Sequence, residues 1–138
     1  MSFWLLKTEP SSYSWHDLVK QGRAVWDGVK NPYALNNLKA MKPGDTAFIY
    51  HTGDEKAVIG IARILSEAYP DPRAKDPKLV VVDLEPVKPL PNRVTLAAVK
   101  ADKFFSDFQL VRVPRLSVMA VTREQWNRIL ELASEPRG

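Results

Sequence analysis

The sequence predicts a compact α+β barrel of short strands and short helices. Three observations predict it. Five or six short apolar runs of strand character are interleaved with three or four short helical segments. Their order is irregular, so the alternation of a doubly wound parallel sheet is absent. The 138 residues, 45% hydrophobic and 26% charged, suit one soluble globular domain with a single core.

The elements follow in chain order. Phe3–Lys7 is a short apolar strand. Ser14 and Asp17 stand at capping-box spacing and open a helix that Gly22 stops. Arg23–Trp26 is a brief strand. Asn31-Pro32 reads as an N-cap with proline at the first helical position, and that helix runs to Met41 before Pro43-Gly44. Thr46–His51 and Ala57–Leu65 are strands joined by a hairpin loop over 52–56. Leu79–Val87 is a strand with long loops around it, in the proline cluster between Pro70 and Pro91. Val94–Ala101 is a short helical turn, and Gln109–Val113 is expected to close the set of strands. Thr122 and Gln125 form a second capping box, and the helix after it puts Trp126, Ile129, Leu130 and Ala133 on one face. One domain over residues 1–138 is expected, with a frayed tail from Ser134 to Gly138.

Composition removes several function classes. There is no cysteine, hence no disulfide, thiolate zinc site or cysteine nucleophile. This composition fits a reducing cytoplasm, where the chain is expected to reside. The only histidines are His16 and His51, too few for a histidine metal site. No metal or other cofactor is expected. No apolar run approaches the roughly 20 residues of a membrane span, and the Phe3–Leu6 run lacks the flanks of a signal peptide. The formal charge is +4. It is uneven: Lys20, Arg23, Lys30, Lys39 and Lys42 face one acid, Asp27, between Leu18 and Pro43. One-sided basicity suits a polyanion, although it is equally what a solvated face looks like.

No catalytic constellation stands out. There is no nucleophile elbow, no phosphate-binding glycine loop and no metalloprotease or EF-hand pattern. Glu9 and Asp27 are candidate general bases without a partner acid. The chain is read as a non-enzyme. Aromatic, amide and charged residues instead concentrate at two turns, 7–15 and 26–31, each leaving a strand and starting a helix. A base lifted out of its stack needs aromatic faces and hydrogen-bonding groups for its edge. Trp26, Trp15 and Tyr13 offer faces; Asp27, Asn31, Asn36 and Ser117 offer edge contacts; Lys7, Lys30, Arg112 and Arg115 offer charge for phosphates. Gly28 lets the backbone approach a ligand closely. Trp4 and Trp126 are read as core, Trp15 as pocket wall or cap of the barrel, and His51 as either site or structural histidine.

The motifs then resemble the EVE domain family. The matching segments are Trp4-Leu5-Leu6-Lys7-Thr8-Glu9-Pro10, Tyr13-Ser14-Trp15, Trp26-Asp27-Gly28-Val29-Lys30-Asn31, Asn36-Asn37-Leu38, Met41-Lys42-Pro43-Gly44-Asp45, Phe48-Ile49-Tyr50-His51-Thr52, Ile59-Gly60-Ile61-Ala62, Glu67-Ala68-Tyr69-Pro70-Asp71-Pro72, Val82-Asp83, and Leu110-Val111-Arg112 with Arg115-Leu116-Ser117-Val118-Met119. They keep the family's order from Trp4 to Leu130. The resemblance implies a PUA-like fold, a curved and mostly antiparallel β-barrel flanked by short helices, related to YTH domains. It implies a reader of modified bases such as 5-methylcytosine or N6-methyladenine in DNA or RNA, with no cofactor. It carries over as pocket residues Lys7, Glu9, Pro10, Tyr13, Trp15, Trp26, Asp27, Gly28, Val29, Asn31, Asn36, Tyr50, His51, Leu116, Ser117 and Met119, with Arg112 and Arg115 also matched. Leu35 stands where the family often has arginine, Lys30 replaces a frequent arginine, Thr52 a serine, and Pro114 and Ala120 depart near the last strand.

The expected function is therefore non-catalytic recognition of a modified base. Trp26, with Trp15 or Tyr13, would sandwich it. The expected partner is nucleic acid, with no membrane, and a monomer is favoured. A small-metabolite or protein-interaction module using the same pocket, and a nucleotide-processing enzyme using Glu9 or Asp27, are the alternatives.

Overall fold

The fold was analysed in a computed structural model that describes residues 1–135. Seven strands form it: β1 Phe3–Thr8, β2 Ala24–Trp26, β3 Thr46–His51, β4 Ala57–Ile64, β5 Tyr69–Pro70, β6 Val80–Thr95 and β7 Val118–Val121. The helices are α1 Trp15–Gln21, α2 Pro32–Ala40, α3 Leu96–Ala101, α4 Gln109–Arg112 and α5 Arg123–Ser134, with a 3-10 turn at Lys103–Phe105. The strand order is β2-β6-β4-β3-β1-β7, and β5 pairs with β6. Every pairing is antiparallel except β1 with β3. The sheet curls into a half-barrel, which is the PUA-like architecture expected.

The strands curl because their ladders slip. The β3–β4 register shifts between Ile49 and Tyr50, and the β4–β6 register shifts between Val58 and Gly60 and again between Ile61 and Ala62. Such bulges bend a strand and increase its twist. Central β1 carries a continuous buried run, Trp4-Leu5-Leu6, as a strand covered on both faces should. The core is closed by α5, whose Trp126 stacks on Phe48 at 3.7 Å between ring centroids and meets Phe3 at 4.8 Å. Trp4 and Trp126 are both buried, as read from the sequence.

Both capping boxes form, Ser14 with Asp17 and Thr122 with Gln125. Asn31 caps α2 through its side-chain oxygen, which accepts from Tyr33 N and Ala34 N. Two expectations are corrected. Gln109–Val113 is not a strand: the Phe108 carbonyl accepts from Val111 N at 2.9 Å and Arg112 N at 3.0 Å, winding Gln109–Arg112 into one helical turn that drops Leu110 into the core. The strand at that place is β7, beside β1. The proline cluster is not loop beyond Val87 either. Strand β6 continues to Thr95 through Pro86, Pro89 and Pro91, with Pro86 and Pro89 opposite the register shifts of β4. Proline is tolerated at bulges and along strand edges, where no ladder donor is lost. At the end of the chain Ser134 belongs to α5, and Asn92 Nδ2 donates to the carbonyls of Ala133 at 2.8 Å and Glu135 at 3.1 Å. The rest of the expected frayed tail, 136–138, lies outside the described residues.

One buried acid anchors the N-terminal strand. Asp45 is 4% exposed, and its carboxylate accepts from Ser2 N, Trp4 Nε1 and Lys42 N, each at 3.0 Å. Burial alone pushes this carboxyl up. The three hydrogen bonds and the N-terminal ammonium outweigh it and hold the group below its ordinary value. A depressed carboxyl contributes stability above its unfolded pKa of roughly 4 and loses it as the pH falls through the folded value. Asp45→Asn places an amide donor against donors, at a cost of about 1–3 kcal/mol near neutral pH. Denaturant titrations from pH 7 to below pH 4 should show the variant less stable at pH 7 and the gap narrowing in acid.

Candidate functional site

The curl brings the two ends of the strand order face to face. A cavity of about 640 Å³ lies between them, lined by Lys7 and Thr8 of β1, Ser12 and Tyr13 of the loop that follows, Gln21, Arg23, β2 with Asp27-Gly28-Val29 beyond it, Arg73, and Ser117 just before β7. It is the open seam of the half-barrel, and its size falls in the roughly 300–1,000 Å³ range of small-molecule sites.

The lining divides into floor and rim. Ala24, Trp26 and Val29 are buried, while Ser12, Gln21, Arg23, Val25, Asp27, Gly28 and Arg73 are exposed. Strand alternation explains the division on β2, where Ala24 and Trp26 turn inward and Val25 outward. Gly28 adopts φ +78°, a left-handed conformation that turns the chain from β2 toward α2. Tyr13 meets Trp26 edge-on, with centroids 6.1 Å apart and planes 81° apart. The two rings form a corner.

Lys7 is half-buried at one side. Its ammonium donates to the Pro114 carbonyl at 2.7 Å and lies 5.7 Å from the Tyr50 ring centre. Burial pulls its pKa down. Burial, then the nearby Asp17 carboxylate, pushes the Tyr13 phenol up; its hydroxyl donates to Gln21 Oε1. The Asp27 carboxylate has no hydrogen bond or ion pair among the described residues, so a ligand donor is its natural complement.

Seven residues assigned from the sequence line this cavity: Lys7, Tyr13, Trp26, Asp27, Gly28, Val29 and Ser117. The others do not. Trp15 is 8% exposed and lies flat against Gly60, where a methyl group would come within 2.7 Å of the indole. It caps the barrel, so the base sandwich expected with Trp26 does not form. The Tyr13 alternative fails as well, because rings at 81° cannot present parallel faces. His51 is buried and structural. Its Nε2 accepts from Trp15 N at 2.9 Å, which leaves the proton on Nδ1, 2.7 Å from Glu55 Oε1. That hydrogen bond, with help from Arg93, holds the Glu55 carboxyl down against desolvation. Tyr50 sits behind Lys7, and Leu116 and Met119 belong to the core. Glu9 accepts from Ser11 N, Ser11 Oγ and Thr52 Oγ1 and so ties the β1–α1 loop to the β3–β4 hairpin. Pro10 lies in that loop, outside the cavity wall. Asn31 spends its oxygen on the α2 cap. Asn36 points to solvent; its neighbour Asn37 makes the tertiary contact, donating to the Val118 carbonyl at 2.8 Å. Lys30, Arg112 and Arg115 are exposed but outside the cavity wall.

The sequence reading missed Thr8, Ser12, Gln21, Arg23, Ala24, Val25 and Arg73. Thr8 and Ser12 fall inside the turn already singled out, and Arg23–Val25 lead into Trp26. Nothing local marks Arg73, which comes from the loop between β5 and β6.

Among the described residues, no three His, Asp or Glu side chains converge as metal ligands, and no helix is long and apolar enough to cross a membrane.

Comparison with known proteins agrees with this architecture. The model of the EVE domain matches residues 2–132. The chain belongs to the EVE domain family. Mouse thymocyte nuclear protein 1 is 34% identical, over 95% of this chain and 73% of its own length. Among solved structures, a Rhodopseudomonas palustris protein is 44% identical and superposes with a TM-score of 0.91, covering 96% of this chain and 93% of its own. The human THYN1 protein, solved in complex with DNA that contains 5-methylcytosine, is 30% identical with a TM-score of 0.90, covering 99% and 100% of the two chains.

The Trp15–Gly60 contact positions α1 and, with it, the Tyr13 wall. Gly60→Ala should force the indole off its seat at a cost of about 1–3 kcal/mol. Chemical denaturation measures that loss, and a displaced Trp15 amide resonance reports the broken bond to His51.

Proposed function

We propose that this EVE domain is a non-catalytic nucleic-acid reader that takes a 5-methylcytosine of DNA out of its stack and into the seam cavity. The observation that carries this reading is the cavity itself: an aromatic corner of Trp26 and Tyr13, an unpartnered carboxylate at Asp27, and a basic margin. The human relative's complex with 5-methylcytosine DNA supports it.

The chemistry fits a cytosine. Its exocyclic N4 amine is a donor, the natural complement of a carboxylate such as Asp27. Thymine presents an acceptor at the same place and would face a like lone pair. The base stacks on Trp26, with the edge of Tyr13 alongside. The methyl group at C5 finds apolar floor at Ala24 and Val29. Stacking of a base on an aromatic side chain is worth about 1–3 kcal/mol. One buried methyl adds about 0.8 kcal/mol, roughly fourfold in affinity. Stacking therefore sets most of the affinity, and the methyl group a modest preference.

The test is tryptophan-fluorescence titration of single-stranded oligonucleotides, DNA and RNA, with one cytosine, 5-methylcytosine, thymine or N6-methyladenine at the centre. The expected order puts 5-methylcytosine DNA first, about fourfold above cytosine. Trp26→Ala should weaken it about 5- to 150-fold and erase the methyl preference while the fold stays intact. Unchanged binding by that variant contradicts the assignment, and a preference for N6-methyladenine or RNA replaces the ligand.

A further inference from the structure

A base lifted from a strand remains attached to a phosphate on each side. Some group at the mouth of the cavity must then meet that charge. The exposed cations singled out in the sequence, Lys30, Arg112 and Arg115, do not border the cavity. Three cations do: Lys7, Arg23 and Arg73.

They are not equivalent. The Lys7 ammonium is drawn inward onto the Pro114 carbonyl and is half-buried. Arg23 already has a counter-ion. Its guanidinium donates to Asp83 Oδ2 at 2.9 Å, while the other oxygen of Asp83 accepts from the Tyr69 hydroxyl at 2.5 Å. Arg73 is different. Its guanidinium has no hydrogen bond or ion pair among the described residues, it is exposed, and it borders the cavity.

Its position is built rather than accidental. Asp71 N donates to the Leu79 carbonyl at 2.9 Å, closing the loop between β5 and β6. Asp71 Oδ1 accepts from Arg73 N at 2.9 Å, and the Asp71 carbonyl from Ala74 N at 3.1 Å. This turn holds the Arg73 backbone over the rim. Tyr69, at the root of the same loop, is tied through Asp83 to Arg23, which also borders the cavity. One arginine is thus paired with a carboxylate that also holds the loop, while the other keeps its guanidinium donors unspent.

We propose that Arg73 is the phosphate-binding residue of this site, holding a phosphate that flanks the nucleotide in the cavity, with Arg23 as its positioning partner. This rests on the seam cavity being the base-binding site. A guanidinium meets two phosphate oxygens at once through a planar fork. That geometry selects a nucleotide within a strand over a free nucleoside, and it gives the strand a fixed direction across the rim.

The experiment uses the full chain and single-stranded DNA with one central 5-methylcytosine. Three versions of the probe carry the natural backbone, a neutral methylphosphonate on the 5′ side of that nucleotide, or one on its 3′ side. Arg73→Ala should weaken the natural probe about tenfold and lower the slope of log affinity against log salt by about 0.7. One neutral probe should cost the parent protein a similar factor and the variant almost nothing. Arg112→Ala with Arg115→Ala should leave that selective loss in place. Should the variant lose as much as the parent with both neutral probes, or bind the natural probe unchanged, Arg73 does not hold the phosphate. The cytosine against 5-methylcytosine comparison, run alongside in both proteins, reads the base site separately. A methyl preference retained in both with no Arg73 effect overturns this inference alone. No methyl preference in the parent overturns the base reading, and the phosphate site with it.

Discussion

The Trp15 indole lies where a side chain of Gly60 would be, and the seam depends on that contact. Gly60 sits at a slip in the β4–β6 register, the kind of irregularity that bends a strand. A residue with a Cβ would hold Trp15 off the sheet. With glycine there, the ring caps the concave face, and the Trp15 amide bonds His51 on β3. His51 in turn bonds Glu55 in the hairpin loop. The start of α1 is fixed from two directions, so Tyr13, two residues earlier, has a defined place opposite Trp26. A tryptophan outside the cavity wall thereby positions one side of it.

A half-barrel has a cost, because its unclosed edges expose backbone donors and acceptors. Here the β2 edge is short, three residues, and the β7 edge is covered in part by α2 through the Asn37 bond to the Val118 carbonyl. What stays open is the seam. Polar groups can gather there without being buried unpaired, while apolar floor lies beneath them. A base needs that combination, with its faces on hydrophobic surface and its edge toward groups that would be expensive to bury empty. On the proposed reading the division of labour would follow from depth: Trp26 and Val29 would give affinity without regard to the base's edge, Asp27 would give identity, and the rim would meet the strand.

Much of this was legible in the residues. Ser14 with Asp17, Asn31 with Pro32, and Thr122 with Gln125 gave the helix starts, because caps are local chemistry. The run Trp4-Leu5-Leu6 and the expected Thr46–His51/Ala57–Leu65 hairpin marked three inner strands, the last of which ends one residue earlier, at Ile64. The β6 extension beyond Val87 was hidden because Pro89 and Pro91 read as loop, and the register shift of β4 opposite Pro89 is visible only in the fold. Gln109–Val113 has strand-like composition, and the Phe108 and Gln109 carbonyls, which accept from Val111, Arg112 and Val113, make it helical. At the site, Trp26 and Asp27 stood out because they lie on one turn. Trp15 and His51 stand in other segments of the same resemblance, bonded to each other outside the cavity wall, an arrangement that depends on the packing of Trp15 on Gly60. Arg73 could not be found from the sequence, since its neighbours across the cavity are about 50 and 66 positions earlier, at Arg23 and Lys7.

The most direct test of the central claim is the chemical shift of the base itself. An oligonucleotide carrying a 13C-labelled methyl group on one 5-methylcytosine would be titrated with the protein and followed by methyl NMR. A base stacked on Trp26, with the Tyr13 edge beside it, places its methyl in the shielding region of an indole. The account predicts a marked upfield shift on binding, lost in Trp26→Ala. A methyl resonance that stays at its free position while the protein's Arg112 and Arg115 signals move would show a strand held on the outer surface with its base never entering the seam, and would contradict the account.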